Sequence, residues 1–131
     1  MAIEGAPHDE SETAHTQLRT PGTDVATYAA LASDLRSRLD GEVQFDEYAQ
    51  VLYATDGSIY RARPAGVVHP RHATDVQNAV RLAAEHDVPV LPRGAGSSLA
   101  GQTVGPGCLV LDVSTHMDQI LAVDPESWTM L

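Results

Sequence analysis

The residues best suited to chemistry lie in one run, Pro92-Arg93-Gly94-Ala95-Gly96-Ser97-Ser98-Leu99-Ala100-Gly101-Gln102, which continues to Gly107 with glycines at 94, 96, 101, 105 and 107. Glycine allows positive φ and a close approach of the main chain to a ligand. Successive N–H groups can then turn into a concave anion site. Ser97 and Ser98 add hydroxyl donors, and Arg93 places a cationic fork at the mouth. The chemistry such a loop suits is the holding of a diphosphate.

The known phosphate loops are told apart by the residues that succeed the glycines. A Walker loop needs Gly-Lys-Ser/Thr running into a helix, and all 8 basic residues here are Arg. A dinucleotide fingerprint needs a third small residue at a helix entry. Leu99 stands there instead, and Gly101, Gly105, Pro106 and Gly107 cannot continue a helix. What remains is a strand, a Gly/Ser loop and a second strand, with peptide N–H groups rather than a helix dipole facing the anion. A glycine hairpin with no ligand is the alternative; Arg93, two serines and Gln102 exceed what a plain turn requires.

Three stretches of chain must position this loop. Residues 1–23 carry acids, Ser, Thr, His and Pro without apolar periodicity, as in a disordered acidic leader. Residues 24–61 form an N-terminal helical segment. Asp24 caps a helix whose apolar face is Val25, Tyr28, Leu31, Ala32, Leu35 and Leu39, and Gly41 ends it in a left-handed conformation. Val43 to Phe45 is extended, and Asp46 caps a small helix through Tyr48, Val51 and Leu52. Residues 62–131 hold the remaining strands and one long helix. Gly66 to Pro70 is a buried strand, and a helix spans Ala73 to His86 with the stripe Val76, Ala79, Val80, Ala83 and Ala84. Thr74 with Gln77, or His72 with Asp75, caps it. Val88 to Pro92 is an edge strand because of Pro89, and Leu109 to Val113 is the most strand-like run. Ile120 to Val123 is a short strand, and Trp128 to Leu131 starts another without partner or turn, so the fold is expected to be incomplete at the C-terminus. The class is α+β, a mixed sheet flanked by helices.

Composition narrows the partners. The 131 residues carry 18 acidic and 8 basic side chains, a formal charge of −10. Such a chain repels nucleic acid and anionic membranes. An acidic, lysine-free surface suits very high salt, where self-repulsion is screened. Cys108 is alone, so neither a disulfide framework nor a cysteine cluster for metal exists, and a buried structural thiol is expected. There is no apolar run of membrane-spanning length and no secretory leader, which places the protein in the cytoplasm by default, at the membrane periphery where an electron-transfer partner requires it. His69 closes a strand, His72 caps a helix, His86 sits in a last helical turn, and His116 lies in a turn. No spacing among them points to a metal site. Asp56 and Ser58 fit a turn or a place near the ligand.

Ordered blocks from about Leu52 to Leu131 resemble the FAD-linked oxidase family, the fold of vanillyl-alcohol oxidase and p-cresol methylhydroxylase. The blocks are Tyr53-x-x-Asp56-x-Ser58-x-Tyr60, Pro64-x-x-Val67-Val68-x-Pro70, Asp75-Val76, Val88-Pro89-Val90 through Gly101-Gln102, and Leu109-Val110-Leu111-Asp112. The continuations Gly101 to Gly105 and Thr115 to Pro125 resemble the branch of glycolate oxidase subunits and D-lactate dehydrogenases, some of which are fused to a C-terminal iron–sulfur module. The resemblance implies the first subdomain of a p-cresol methylhydroxylase-type FAD-binding domain. In it Pro92, Arg93, Gly94, Ala95, Gly96, Ser97, Ser98, Leu99 and Gly101 wrap the FAD pyrophosphate. Some relatives tether flavin through a histidine where Ser97 stands, so the implied FAD is non-covalent. Family substrate and catalytic residues belong to later segments, and none is carried over. The implied parent activity is oxidation of a small 2-hydroxy acid with transfer of electrons to an acceptor. A non-catalytic fragment is the alternative, and a UDP-sugar reductase fits the loop poorly.

Overall fold

Two short strands rich in apolar residues, Gly66–His69 and Leu109–Asp112, form the buried middle of a four-stranded sheet. In a computed structural model that describes residues 25–131, chain order is α1 (Val25–Arg38), β1 (Glu42–Gln44), α2 (Glu47–Leu52), β2 (Gly66–His69), α3 (Ala73–Glu85), β3 (Val90–Arg93), β4 (Leu109–Asp112), β5 (Val123–Asp124) and β6 (Thr129–Met130). The main sheet has the order β1-β2-β4-β3. β4 lies parallel between β2 and β3, with Val67 opposite Val110 and Leu91 opposite Val110, while β1 runs antiparallel to β2. The sheet is therefore mixed and flanked by helices, as the pattern predicts.

Alternation along the strands divides the core. Val68, Leu109 and Leu111 face one side and pack with Leu31, Leu35 and Leu39 of the α1 region and Ala79, Leu82 and Ala83 of α3. Val67, Cys108 and Val110 face the other side, against Ala49 of α2, with Tyr53 and Leu91 alongside. β2 and β4 are buried at every residue, as expected of parallel strands covered on both faces.

Several expectations are corrected. The proposed cap Asp24 and the leader 1–23 lie outside the described residues. Val25 is exposed, so the buried face of α1 begins at Leu31. Tyr48, Val51 and Leu52 face outward and Ala49 is the buried residue of α2, because a six-residue helix offers only one narrow face. In α3, Val80 and Ala84 of the predicted stripe are exposed, and Leu82 joins Ala79 and Ala83 on the buried face. Gly41 is not left-handed. It is glycine for space: a Cβ there would stand 2.3 Å from the His69 carbonyl oxygen. The final strand does have a partner and a turn. β5 and β6 form a hairpin through Asp124 to Thr129, in which Trp128 takes the strained φ of 56°.

The α1–β1 corner depends on one buried carboxylate. Asp75, in the first turn of α3, accepts the Asp40 N–H at 3.0 Å and the Arg71 N–H at 2.9 Å. His72 caps α3 by accepting the Asp75 N–H on Nδ1, which selects the second of the two proposed caps. Asp40, His72 and Asp75 thus come within 4.8 Å of one another, a cluster explained by capping and corner formation. Burial alone would raise the Asp75 carboxyl; hydrogen bonds from Arg71 and Asp40 outweigh it and hold it below the usual range.

Asp75→Ala should therefore cost about 1–3 kcal/mol in urea unfolding, since it removes a buried carboxylate that accepts two main-chain N–H groups at the corner. A group with a depressed folded pKa stabilises above its unfolded value of about 4 and loses that contribution as pH falls through the folded value. The stability gap between wild type and Asp75→Asn should close on acidification below about pH 4.

Candidate functional site

The parallel strands β2, β4 and β3 end on the same edge of the sheet, where α/β folds place ligands. Their last residues are His69, Asp112 and Arg93. Tyr53, just after α2, joins them. Its hydroxyl donates to Asp112 Oδ2 at 2.5 Å, while Ser114 donates to Asp112 Oδ1 from its N–H at 2.9 Å and its hydroxyl at 2.6 Å. The Tyr53 ring meets the His69 ring edge-on at 5.9 Å, and His69 Nδ1 pairs with Thr115 Oγ1 at 3.1 Å. Burial and the Asp112 carboxylate push the Tyr53 hydroxyl up in pKa, so it remains a donor. For Asp112 burial works upward, but hydrogen bonds from Ser114 and Tyr53 prevail and keep it ionised.

The Gly-rich run leaves β3 directly above this network. All nine predicted site residues lie in it, from the end of β3 to Gly101. Among the described residues, none of the main-chain N–H groups from Gly94 to Gly101 donates a hydrogen bond. The direction of two of them follows from peptide planarity, since every described peptide is trans and a carbonyl points opposite to the next N–H. Arg93 C=O accepts from Val113 N–H at 3.0 Å, so the Gly94 N–H points away from β4, off the free edge of the sheet. Gly96 C=O accepts from Gly57 N–H at 2.8 Å, so the Ser97 N–H points away from residue 57. A Cβ on Gly94 would meet nothing within 4 Å, which leaves room for a ligand against the main chain. Gly96 and Gly101 hold φ of 67° and 76°, conformations that require glycine.

A second loop braces the first. Asp56 accepts the Ser58 N–H at 2.9 Å and the Thr103 hydroxyl at 2.9 Å. These bonds, Ser58's foremost, draw its carboxyl down to about 2. A Cβ on Gly57 would press on Ser98 O at 3.1 Å. Ser98 Oγ accepts the Gln102 N–H at 3.0 Å and also pairs with the Gln102 side chain, so Ser98 and Gln102 shape the loop from within. The Arg93 guanidinium turns toward the brace: Nη2 donates to Thr55 O at 2.8 Å and Nη1 to Thr103 O at 3.2 Å, over the Tyr53 ring at 5.1 Å. Sequence reasoning missed the brace. Asp56-Gly57-Ser58 reads locally as a turn, and its partners lie some forty residues away.

Cys108 is buried and donates to Gly105 O at 3.0 Å, and burial raises its thiol to about 11. It anchors the returning end of the loop, as the sequence predicts for a structural thiol.

Residues 64–131 match the FAD binding domain family model. The chain belongs to that family. It is 33% identical over 106 residues to the glycolate oxidase subunit GlcD of Bacillus subtilis, covering 76% of this chain and 22% of that protein. It is 41% identical over 80 residues to D-2-hydroxyglutarate dehydrogenase of Escherichia coli, covering 59% of this chain and 8% of that protein. The fold is that of 4-ethylphenol oxidase from Gulosibacter chungangensis, at TM-score 0.67 and 19% identity over 80% of this chain and 21% of that one. p-Cresol methylhydroxylase superposes at TM-score 0.61 and 21% identity, with 80% of this chain and 22% of that chain covered. The chain thus spans about a fifth or less of the length of these relatives.

Two substitutions probe the site's architecture. Gly96→Ala forces a left-handed alanine and sets a Cβ 2.5 Å from Arg93 Nη2. It should lower stability by about 1–2 kcal/mol and speed amide exchange at Gly57, whose N–H partner is Gly96 O. Tyr53→Phe leaves the buried Asp112 short of a donor and should cost about 1.5–3 kcal/mol in chemical denaturation.

Proposed function

We propose that the chain forms the pyrophosphate-holding part of an FAD-dependent oxidoreductase that acts on a small 2-hydroxy acid and passes electrons to an acceptor. The observation that carries the cofactor half is the run of uncommitted N–H groups from Gly94 to Gly101, with open space at Gly94. Pro92 and Arg93 fix where the run starts, Gly94, Ala95, Gly96, Ser97, Ser98 and Leu99 present main-chain donors, and Gly101 turns the chain back. Main-chain dipoles suit a dianionic bridge in a chain of charge −10, because they solvate phosphate without an ion pair. When bound, flavin supplies the hydride acceptor; the protein supplies placement and exclusion of water. Ser97 offers no imidazole for a covalent tether, which supports non-covalent binding.

The substrate class rests on relatives whose names specify glycolate, D-2-hydroxyglutarate and D-lactate. The proposed division of the chain near residues 24 and 62 puts the start of its last segment close to residue 64, where the family match begins. The acidic, lysine-free composition supports a high-salt setting, and no described helix is long and apolar enough to cross a membrane.

Titrating FAD, ADP and riboflavin into the ¹⁵N-labelled chain tests the cofactor half. FAD and ADP should shift the amides of Gly94 to Gly101, and riboflavin, which lacks phosphate, should not. Equal shifts with riboflavin, or none with FAD, would sink the reading. For the substrate half, anaerobic bleaching of flavin absorbance by D-lactate, glycolate or D-2-hydroxyglutarate is expected in the longest protein expressed from this reading frame. Bleaching by none of them refutes the substrate class.

A further inference from the structure

We propose that Arg93 is a positioning residue that holds the loop in its anion-binding shape, and not a ligand of the phosphate. The inference rests on reading Gly94 to Gly101 as the phosphate cradle. Its basis is where the guanidinium already points. Nη2 bonds Thr55 O at 2.8 Å, and Nη1 reaches Thr103 O at 3.2 Å and Tyr53 O at 3.5 Å. Those carbonyls come from two segments that the chain separates by nearly fifty residues. The fork lies over the Tyr53 ring at 5.1 Å, and that ring is itself fixed by Asp112 and His69. On the loop side, Gly96 closes against the same guanidinium so tightly that a Cβ would stand 2.5 Å from Nη2.

Each bond has a directional consequence. A carbonyl drawn toward Arg93 turns the following N–H away from it. Thr55 C=O therefore sets the Asp56 peptide, whose carboxylate then receives the Thr103 hydroxyl, and Thr103 C=O returns to Arg93. The circuit of Arg93, Thr55, Asp56 and Thr103 closes around Gly57, which supports Gly96 through its N–H. A planar fork meets carbonyls from both segments in one fixed geometry, whereas a lysine ammonium directs its three donors from a single point on a flexible stem and does not hold that spacing.

A phosphate ligand and a positioning residue respond differently to lysine. The test compares wild type, Arg93→Lys and Arg93→Gln as ¹⁵N-labelled chains, with inorganic pyrophosphate as the probe and native-state amide exchange as a second readout. In both variants exchange at Gly57 and Thr103 should rise on the order of tenfold, while Val67 and Val110 in the sheet stay within about twofold. Pyrophosphate affinity should fall by the same factor in both, and its ionic-strength dependence should match wild type. Arg93→Lys retaining wild-type affinity and protection overturns the proposal, as does a weakened salt dependence in Arg93→Gln alone. Unchanged protection of Gly57 and Thr103 in Arg93→Gln overturns it too. Failure of the cradle reading looks different: pyrophosphate shifts nothing in wild type, and the exchange arm still decides the role of Arg93.

Discussion

Strand β4 is hydrogen-bonded on both edges and buried on both faces, and the rest of the molecule is arranged around it. Its parallel neighbours must enter from the same end, which requires a long crossover; α3 supplies it between β2 and β3. Parallel strands also finish together. That places His69, Asp112 and Arg93 on one edge, and each then meets a group from outside the sheet. The buried Asp112 carboxylate is tolerated there because Tyr53 and Ser114 satisfy it.

From that edge two loops lean on each other, and neither has its shape from local sequence alone. The loop after β3 holds positive φ at Gly96 and Gly101, yet its carbonyls are aimed by Gly57 and Val113. The loop after α2 is aimed in turn by Arg93 and Thr103. Mutual bracing of this kind organises dipoles before any ligand arrives, so that binding an anion costs little reordering. In so acidic a chain, a phosphate held by such dipoles would be attracted at short range and in a fixed direction, while long-range repulsion from carboxylates fades within a Debye length.

The family match spans residues 64–131, so the loop lies within the part of the chain that belongs to the FAD binding domain family. Similarity to the phenol oxidases, at 19–21% identity, concerns the fold. One frame thus serves relatives named for different substrates. That is the usual relation between a fold and the chemistry placed on it. The exposed apolar residues of the C-terminal hairpin, Trp128 and Leu131 among them, lie apart from the main core.

The sequence alone determined the elements whose signals are local. Apolar runs marked β2 and β4, helical spacing marked α1 and α3, Pro89 marked the edge strand, and the glycine pattern of 94–107 excluded the helix-based phosphate loops. It also carried the family through ordered blocks from Tyr53 to Asp112. Elements left open by the sequence depended on contacts between distant residues. Gly41 has the local signature of a helix stop, whereas the His69 carbonyl excludes a side chain there. Leu82 replaced Val80 because the face of α3 is chosen by α1 and the sheet. Trp128 to Leu131 found a partner in β5 that a strand signal at the chain's end could not supply. Above all, Arg93 reads in the sequence as a cationic fork at the mouth of the loop. Only the fold, by ending three parallel strands together and bringing Thr55 and Thr103 within hydrogen-bond reach, turned its guanidinium toward main-chain carbonyls.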